Sequence, residues 1–446
     1  MLSWVLNHPE SSVLFLTSLF CLWQSWWFKR DFFSPANIYC FTQTITLGIA
    51  YLNLNPAMTP LQPKTWMFWT GGLFSFMTGC FLVSLLLKRN GSQFQTIALQ
   101  PVEIYNWNLH VLLSFIPFCL FMVGIWGLVQ KTGSLLVFAD DPAMWMTKDV
   151  DYGYYAALFS SGPLLTLLYG VASFKKYNPF FGARLVARIM VLLSITLNLL
   201  AYPNRGALFF NLGALLILFN YLRKRISPVL IMISLLLAVF AFVGISMIRD
   251  QYGSGSVEGL AIETAMDLPY KYVANNYWNL DYVINAPTDI EYHPHTYGID
   301  FFYGIFDYLR IGGSFRNSYG WDGLFNERVM KVSGLNTTHY LWDVYKDLYM
   351  PGVFIFPFLC GFGLTYLYRK LYKPFTPKVI LFYTFLIYLV GWWWFTPGYK
   401  QGIYWVWSLF LFIIPTVCQS RKSLPAEASL SKELDGKHTG EDQVSA

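Results

Sequence analysis

An all-α polytopic membrane protein is the fold class this sequence predicts, on three observations. Of the 446 residues, 55% are hydrophobic, 19% aromatic and only 13% charged, whereas a soluble domain carries about a quarter charged residues. Apolar windows long enough to cross about 30 Å of hydrocarbon recur along most of the chain. Basic residues mark every second connection between those windows.

Taken in order, the windows cover 11–28, 35–53, 66–87, 107–129, 154–173, 183–201, 206–222, 228–248, 350–368, 378–396 and 402–418, eleven candidate transmembrane helices. No Lys or Arg precedes the first, so it lacks the basic start of a cleaved signal and reads as a retained span. The sixth and seventh are parted only by the turn Tyr202-Pro203-Asn204-Arg205. Lys29-Arg30, Lys88-Arg89, Lys175-Lys176-Arg184, Arg223-Lys224-Arg225, Arg369-Lys370-Lys373-Lys378 and Arg421-Lys422 all fall on one side of this path. The short loops opposite hold only Lys64, Lys131, Lys148, Arg205 and Lys400. The positive-inside rule therefore puts the N-terminus outside and the C-terminus inside. Residues 1–248 are expected to form eight spans with short loops, 249–347 one large outer domain, 348–418 the last three spans, and 419–446 a polar, disordered inner tail.

The formal charge of +6 carries no nucleic-acid inference, because basic residues collect on the inner side for topological reasons. The outer segment is itself acidic, with seven basic residues against thirteen acids for a net charge of −6. Tyrosines recur through it, with Trp278, Trp321 and Trp342 among them. Aromatic faces with polar handles suit sugar rings; an interfacial belt with a small loop core explains the same composition. The six cysteines lie in or beside apolar runs without a CxxC pair, which argues against a disulfide framework or a thiolate metal site.

No Walker loop, GxSxG, HExxH or dinucleotide fingerprint occurs, so no nucleotide cofactor and no metal is implied. Asn336 to Asp347, followed by Pro351-Gly352 and an apolar run, places a histidine and two acids just before membrane entry. If helical, His339, Asp343 and Asp347 share a face, and an imidazole oriented by a carboxylate is what a general base needs. A solvated first turn whose acids favour the helix start is the plainer alternative. Arg205 and Arg249 stand at the outer ends of their spans, where a guanidinium can hold phosphate oxygens bidentately or snorkel to the interface. Arg310, Arg316 and Arg328 are secondary candidates, since an acidic loop offers them structural partners. His293 and His295 lack a third metal ligand at a recognisable spacing, and Asp140-Asp141 before a proline reads as a turn.

At these residues the chain resembles the bacterial O-antigen and oligosaccharide repeat-unit polymerases, the Wzy type, and more distantly the O-antigen ligases. The likeness rests on Asn204-Arg205-Gly206 opening an outer-to-inner span, Arg249 opening the large loop, and Thr338-His339 through Asp347 to Gly352 closing it. Family polymerases often carry Asp-Phe-Gly where this chain has Asp347-Leu348-Tyr349, and His339 is similar to the ligases. Family members often have about twelve spans, one more than counted here.

The resemblance implies a GT-C-like, metal-independent, inverting glycosyl transfer without a cofactor on the periplasmic face of the bacterial inner membrane. A growing glycan would leave its polyprenyl pyrophosphate, held by Arg205 and Arg249, for a second lipid-linked repeat unit, with His339 or Asp347 acting on the attacking hydroxyl. A chain-length regulator, a flippase and membrane lipids are the partners implied. A transporter or flippase of lipid-linked glycans is the rival reading, and it would usually bury ionisable residues mid-membrane.

Overall fold

The computed structural model describes residues 9–27, 31–52, 54, 59–87, 105–139, 154–202, 205–237, 240, 262–285, 298, 300–308, 337–372, 376–396 and 398–419. Within them all regular structure is helical, apart from one isolated bridge between Tyr105 and Gln419. The helices are α1 (Pro9–Trp27), α2 (Pro35–Ala50), α3 (Pro63–Leu86), α4 (Trp107–Leu113), α5 (Phe115–Thr132), α6 (Tyr154–Phe159), α7 (Gly162–Ala172), α8 (Phe181–Ala201) and α9 (Arg205–Leu222). They continue with α10 (Pro228–Leu237), then α11 (Ile262–Ile284), α12 (Tyr303–Tyr308), α13 (Tyr340–Lys370), α14 (Pro377–Gly391) and α15 (Gly402–Cys418). A proline in the first turn, whose missing N–H would be unpaired there anyway, starts α2, α3, α7 and α14. Gly133, at φ 78°, ends α5 in the left-handed conformation that glycine adopts without penalty.

A helix lies in each of the eleven windows read from the sequence. Among the described residues, five helical stretches are long and apolar enough to cross a membrane: Pro63–Leu86, Trp107–Phe138, Tyr154–Ala172, Phe181–Ala201 and Tyr340–Lys370. Shorter apolar helices cover Gly206–Leu222, Pro228–Leu237, Pro377–Gly391 and Gly402–Cys418. Many large apolar side chains remain exposed, including Trp26, Phe74, Leu192 and Leu237, which is the surface of a chain embedded in lipid.

Hydrogen bonds tie the helix ends together in two separate groups. At one end Asp31, buried between α1 and α2, accepts from the Phe33 amide at 3.1 Å, Asn220 at 3.2 Å, Tyr221 at 2.6 Å and Tyr368 at 3.1 Å. Burial pushes its pKa up, and the Tyr221 hydrogen bond followed by the Arg225 charge pulls it back. Tyr383 donates to the Phe33 carbonyl, Arg369 donates to the last carbonyls of α3, and the Asn106 amide donates to the Cys418 carbonyl at 3.0 Å. The ends of α9, α13 and α15 and the starts of α4 and α14 thus gather on one side of the bundle.

At the other end α11 docks on α2 and α3 by reciprocal capping. Asp281 accepts from the Gln62 amide at 2.8 Å and the Thr65 hydroxyl at 2.6 Å, placing a carboxylate at the start of α3. Lys64 returns a bond to the Ile284 carbonyl at the end of α11, at 2.8 Å. Tyr270 donates to the Ala50 carbonyl at the end of α2 at 3.2 Å. The described part of the outer segment therefore shares a core with the spans: Tyr270, Tyr277 and Trp278 of α11 pack in one buried cluster with Leu47, Phe68, Phe76, Tyr340 and Leu341.

Helix α13 is two arms. Tyr349 has φ 59° and ψ −158°, a backbone region costing a non-glycine residue about 1–3 kcal/mol, and Pro351 follows within two residues. A continuous helix would hold Tyr340 and Phe356 about 24 Å apart, yet their ring centroids are 6.5 Å apart. Likewise the neighbouring glycines Gly71 and Gly72 of α3 face Phe354 and Leu341. Residues 340–348 thus run back against 350–370 as a hairpin. The second arm lies along α3 so closely that a Cβ on Gly79 would stand 2.2 Å from the Phe358 carbonyl oxygen, and one on Gly361 2.2 Å from that of Phe76. Such glycines let helix backbones approach where lipid gives apolar side chains no reason to associate.

Candidate functional site

The first arm of α13 carries along its length the histidine and acids singled out in the sequence, and it lies inside the bundle. Thr338 to Asp347 are all buried, with His339 and Tyr340 fully inaccessible. The solvated first turn expected as the plainer reading is therefore not what forms. The reason is the hairpin, which turns residues 339–348 inward between α2, α3 and α11.

His339 caps α13 with extended backbone, φ −61° and ψ 142°. Its Nδ1 accepts from the Leu341 amide at 3.3 Å, so the proton rests on Nε2, which donates to Gln43 Oε1 at 2.7 Å. Both ring nitrogens of this neutral tautomer are thereby engaged. The carboxylate expected to orient the imidazole is replaced by an amide from α2, and His339, outside the helix, does not share the face of Asp343 and Asp347. In this arrangement His339 offers no lone pair to a sugar hydroxyl and serves to hold the arm in place.

The surroundings complete that anchorage. The Gln43 carbonyl accepts from Tyr277 at 3.2 Å, and Tyr277 also bonds Thr46 at 2.7 Å. Tyr340 meets Tyr39 hydroxyl to hydroxyl at 2.6 Å. Its amide donates to the Trp393 carbonyl at 3.0 Å, and the His339 amide to the Asn276 carbonyl at 3.4 Å. Gln43 Nε2 and, nearby, Asn276 Oδ1 are buried without a hydrogen-bond partner among the described residues.

The two acids are committed elsewhere. Asp343 forms an ion pair with Lys400, from the turn before α15. Asp347 accepts from the Gly298 amide at 2.7 Å and the Phe301 amide at 3.1 Å, one bond on each oxygen. It clamps a piece of the outer segment over the hairpin turn, beside exposed Tyr349 stacked on Tyr345 at 5.4 Å. Tyr349 is the one described non-glycine residue with positive φ.

Arg205 opens α9, and its side chain lies outside what the structure describes. Its helix start is nonetheless placed. Phe209, one turn on, stacks on Trp392 at 5.6 Å, and Trp392 adjoins the Trp393 whose carbonyl holds Tyr340. The segment Gly391 to Phe395 thus joins the start of α9 to the start of α13. Arg249, Arg310, Arg316 and Arg328 lie outside the described residues, as do Asp140, Asp141, His293 and His295.

Sequence reasoning missed Gln43, Trp393 and the pairing role of Lys400. Gln43 was visible as an amide in the middle of an apolar window, where a polar side chain needs a partner. Lys400 had no local signal, because its partner is 57 positions away.

No family model and no solved structure matches this chain. Among curated proteins, a stretch of 40 residues, 9% of the chain, is 45% identical to Protein P9 of Lettuce infectious yellows virus (isolate United States/92). The chain spans 50% of the length of that relative.

Proposed function

We propose that this chain is a GT-C-like membrane glycosyltransferase that polymerises polyprenyl-pyrophosphate-linked oligosaccharide repeat units on the periplasmic face of the bacterial inner membrane. The observation that carries the reading is the tryptophan-rich turn 391–395, which joins the helix opened by Arg205 to the arm opened by His339. In this reading all eleven apolar windows cross the bilayer, and the end bearing α11 and the hairpin faces outward.

Pyrophosphate is a good leaving group, so the reaction needs charge stabilisation more than an acid. Arg205, with Arg249, neutralises the departing pyrophosphate by bidentate hydrogen bonds. His339, Asp343 and Asp347 act as positioning residues, which hold the hairpin, the turn bearing Lys400 and the outer segment in register.

Deleting the gene is expected to leave surface glycan as single-repeat caps, and complementation with Arg205→Ala to restore about a hundredth of wild-type extension or less. Normal long chains in the deletion strain overturn the polymerase reading. Polymer that is made but never attached points to the ligase instead.

The buried Asp343, paired with the half-buried Lys400, and the inward-turned arm favour one second reading, a transporter of lipid-linked glycans, since broken helices and buried charges mark such sites. Reconstituted vesicles separate the two: a polymerase lengthens the glycan, whereas a transporter moves the lipid across the bilayer unchanged.

A further inference from the structure

We propose that Arg188, with Lys175 and Lys176, holds the phosphate of an anionic phospholipid against the turn between α7 and α8. Only the crossing of the bilayer by these two helices is required, not the glycan reading.

Both belong to stretches long and apolar enough to cross, Tyr154–Ala172 and Phe181–Ala201, so the turn joining them meets the membrane surface. Hydrogen bonds build that turn. Asn178, which is buried, donates from its side chain to the Ala172 carbonyl at 2.9 Å and accepts from the Phe180 amide at 3.1 Å. The buried Arg184 donates from one nitrogen to the carbonyls of Asn178 at 2.7 Å and Pro179 at 2.8 Å. Arg184 is thereby committed to the backbone, while Lys175 and Lys176 stand exposed on a braced turn.

Arg188 lies one turn further along α8, about 10 Å from Phe181. It is exposed, on a face where Leu185, Ile189 and Leu192 are exposed too. Helical side chains tilt toward the N-terminus of their own helix, and Arg188 Nε reaches back to the carbonyl of Ser173, the C-cap of α7, at 3.3 Å. That bond brings the guanidinium to the chain segment that carries the two lysines. Its terminal NH2 groups bond to nothing among the described residues, and no described acid pairs with Arg188, Lys175 or Lys176. The Lys176 ammonium lies 5.8 Å from the Tyr177 ring centroid, a contact that leaves its hydrogen bonds unspent.

Snorkelling to water answers such donors when the side chain is free to swing. Here the Ser173 bond holds the guanidinium on the flank of α8 that faces lipid, where acyl chains offer no acceptor. A phosphodiester offers two oxygens to the guanidinium fork. Three cations without a described counter-ion select a headgroup of net negative charge over a zwitterionic one. The acyl chains of that lipid then run along Ile189 and Leu192.

The test follows thermal unfolding of the full-length protein in dodecyl maltoside while phosphatidylglycerol, phosphatidylcholine or glycerol 3-phosphate is added. Wild type should rise in Tm with phosphatidylglycerol alone, because a ligand bound only to the folded state stabilises it. In Arg188→Gln the concentration giving half that rise should be about tenfold higher. The double variant Lys175→Gln, Lys176→Gln should also need more lipid. Arg223→Gln, in the exposed turn after α9, should respond as wild type does.

An Arg188→Gln protein that responds like wild type overturns the site. If that variant does not fold, the lysine double variant decides, and an unchanged response there overturns it equally. A matching rise with phosphatidylcholine would leave only an apolar groove, and one with glycerol 3-phosphate would make this a site for free phosphate; either removes the lipid assignment. Equal weakening by Arg223→Gln would reduce the effect to general charge and remove it as well.

Discussion

Gln43 and His339 stand 296 positions apart and meet at 2.7 Å with no water-accessible surface on the imidazole. Removing either partner leaves a buried polar group unpaired, which costs about 1–3 kcal/mol, while removing both together costs less than the sum. Gln43→Leu, His339→Leu and the double variant, compared by thermal unfolding in detergent, are expected to show that non-additivity; strictly additive losses would mean that the pair does not form. Tyr349 gives a prediction of opposite sign. Its φ of 59° suits glycine, so Tyr349→Gly should raise stability by about 1 kcal/mol, measured in the same way. The histidine and acids were legible as residues worth naming, since a His among acids beside an apolar run is a chemical signal. Their partners were not legible, because nothing local to Thr338-His339 points to an amide on α2.

Helices are the level at which the sequence speaks most directly, and α3 and α13 show both its reach and its limit. The apolar windows locate both, because partition into lipid depends on the composition of one segment at a time. Their close approach depends on Gly79 and Gly361, each facing a carbonyl oxygen of the partner helix. Gly79→Val should therefore destabilise by about 3 kcal/mol. Gly363→Ala, where an added Cβ meets nothing within 4 Å, should be neutral or stabilising by up to about 1 kcal/mol. Equal effects of the two substitutions on thermal unfolding would contradict the helix pairing. The reversal at Tyr349 was not legible, since Pro351 announces a break in a helix but not its direction.

Across the whole molecule, hydrogen bonds sort the helix ends into two groups, one around Asp31 and one around Asp281. In a background without native cysteines, Ser134→Cys, beyond the end of α5, should react with a membrane-impermeant maleimide in intact cells. Ser429→Cys in the polar tail should react only after permeabilisation. The reverse pattern would put Arg205 in the cytoplasm and remove the proposed site. By itself the sequence determined the all-helical membrane class and where its apolar helices lie, but not the helix Ile262–Ile284 of the outer segment, because hydropathy and proline positions act within a few turns of chain. The tertiary structure alone decided that residues 338–347 turn inward, that His339 is held by an amide rather than a carboxylate, and that a tryptophan turn joins α9 to α13. Those outcomes depend on which buried polar groups find partners, and in a bundle the partners come from segments far apart in sequence.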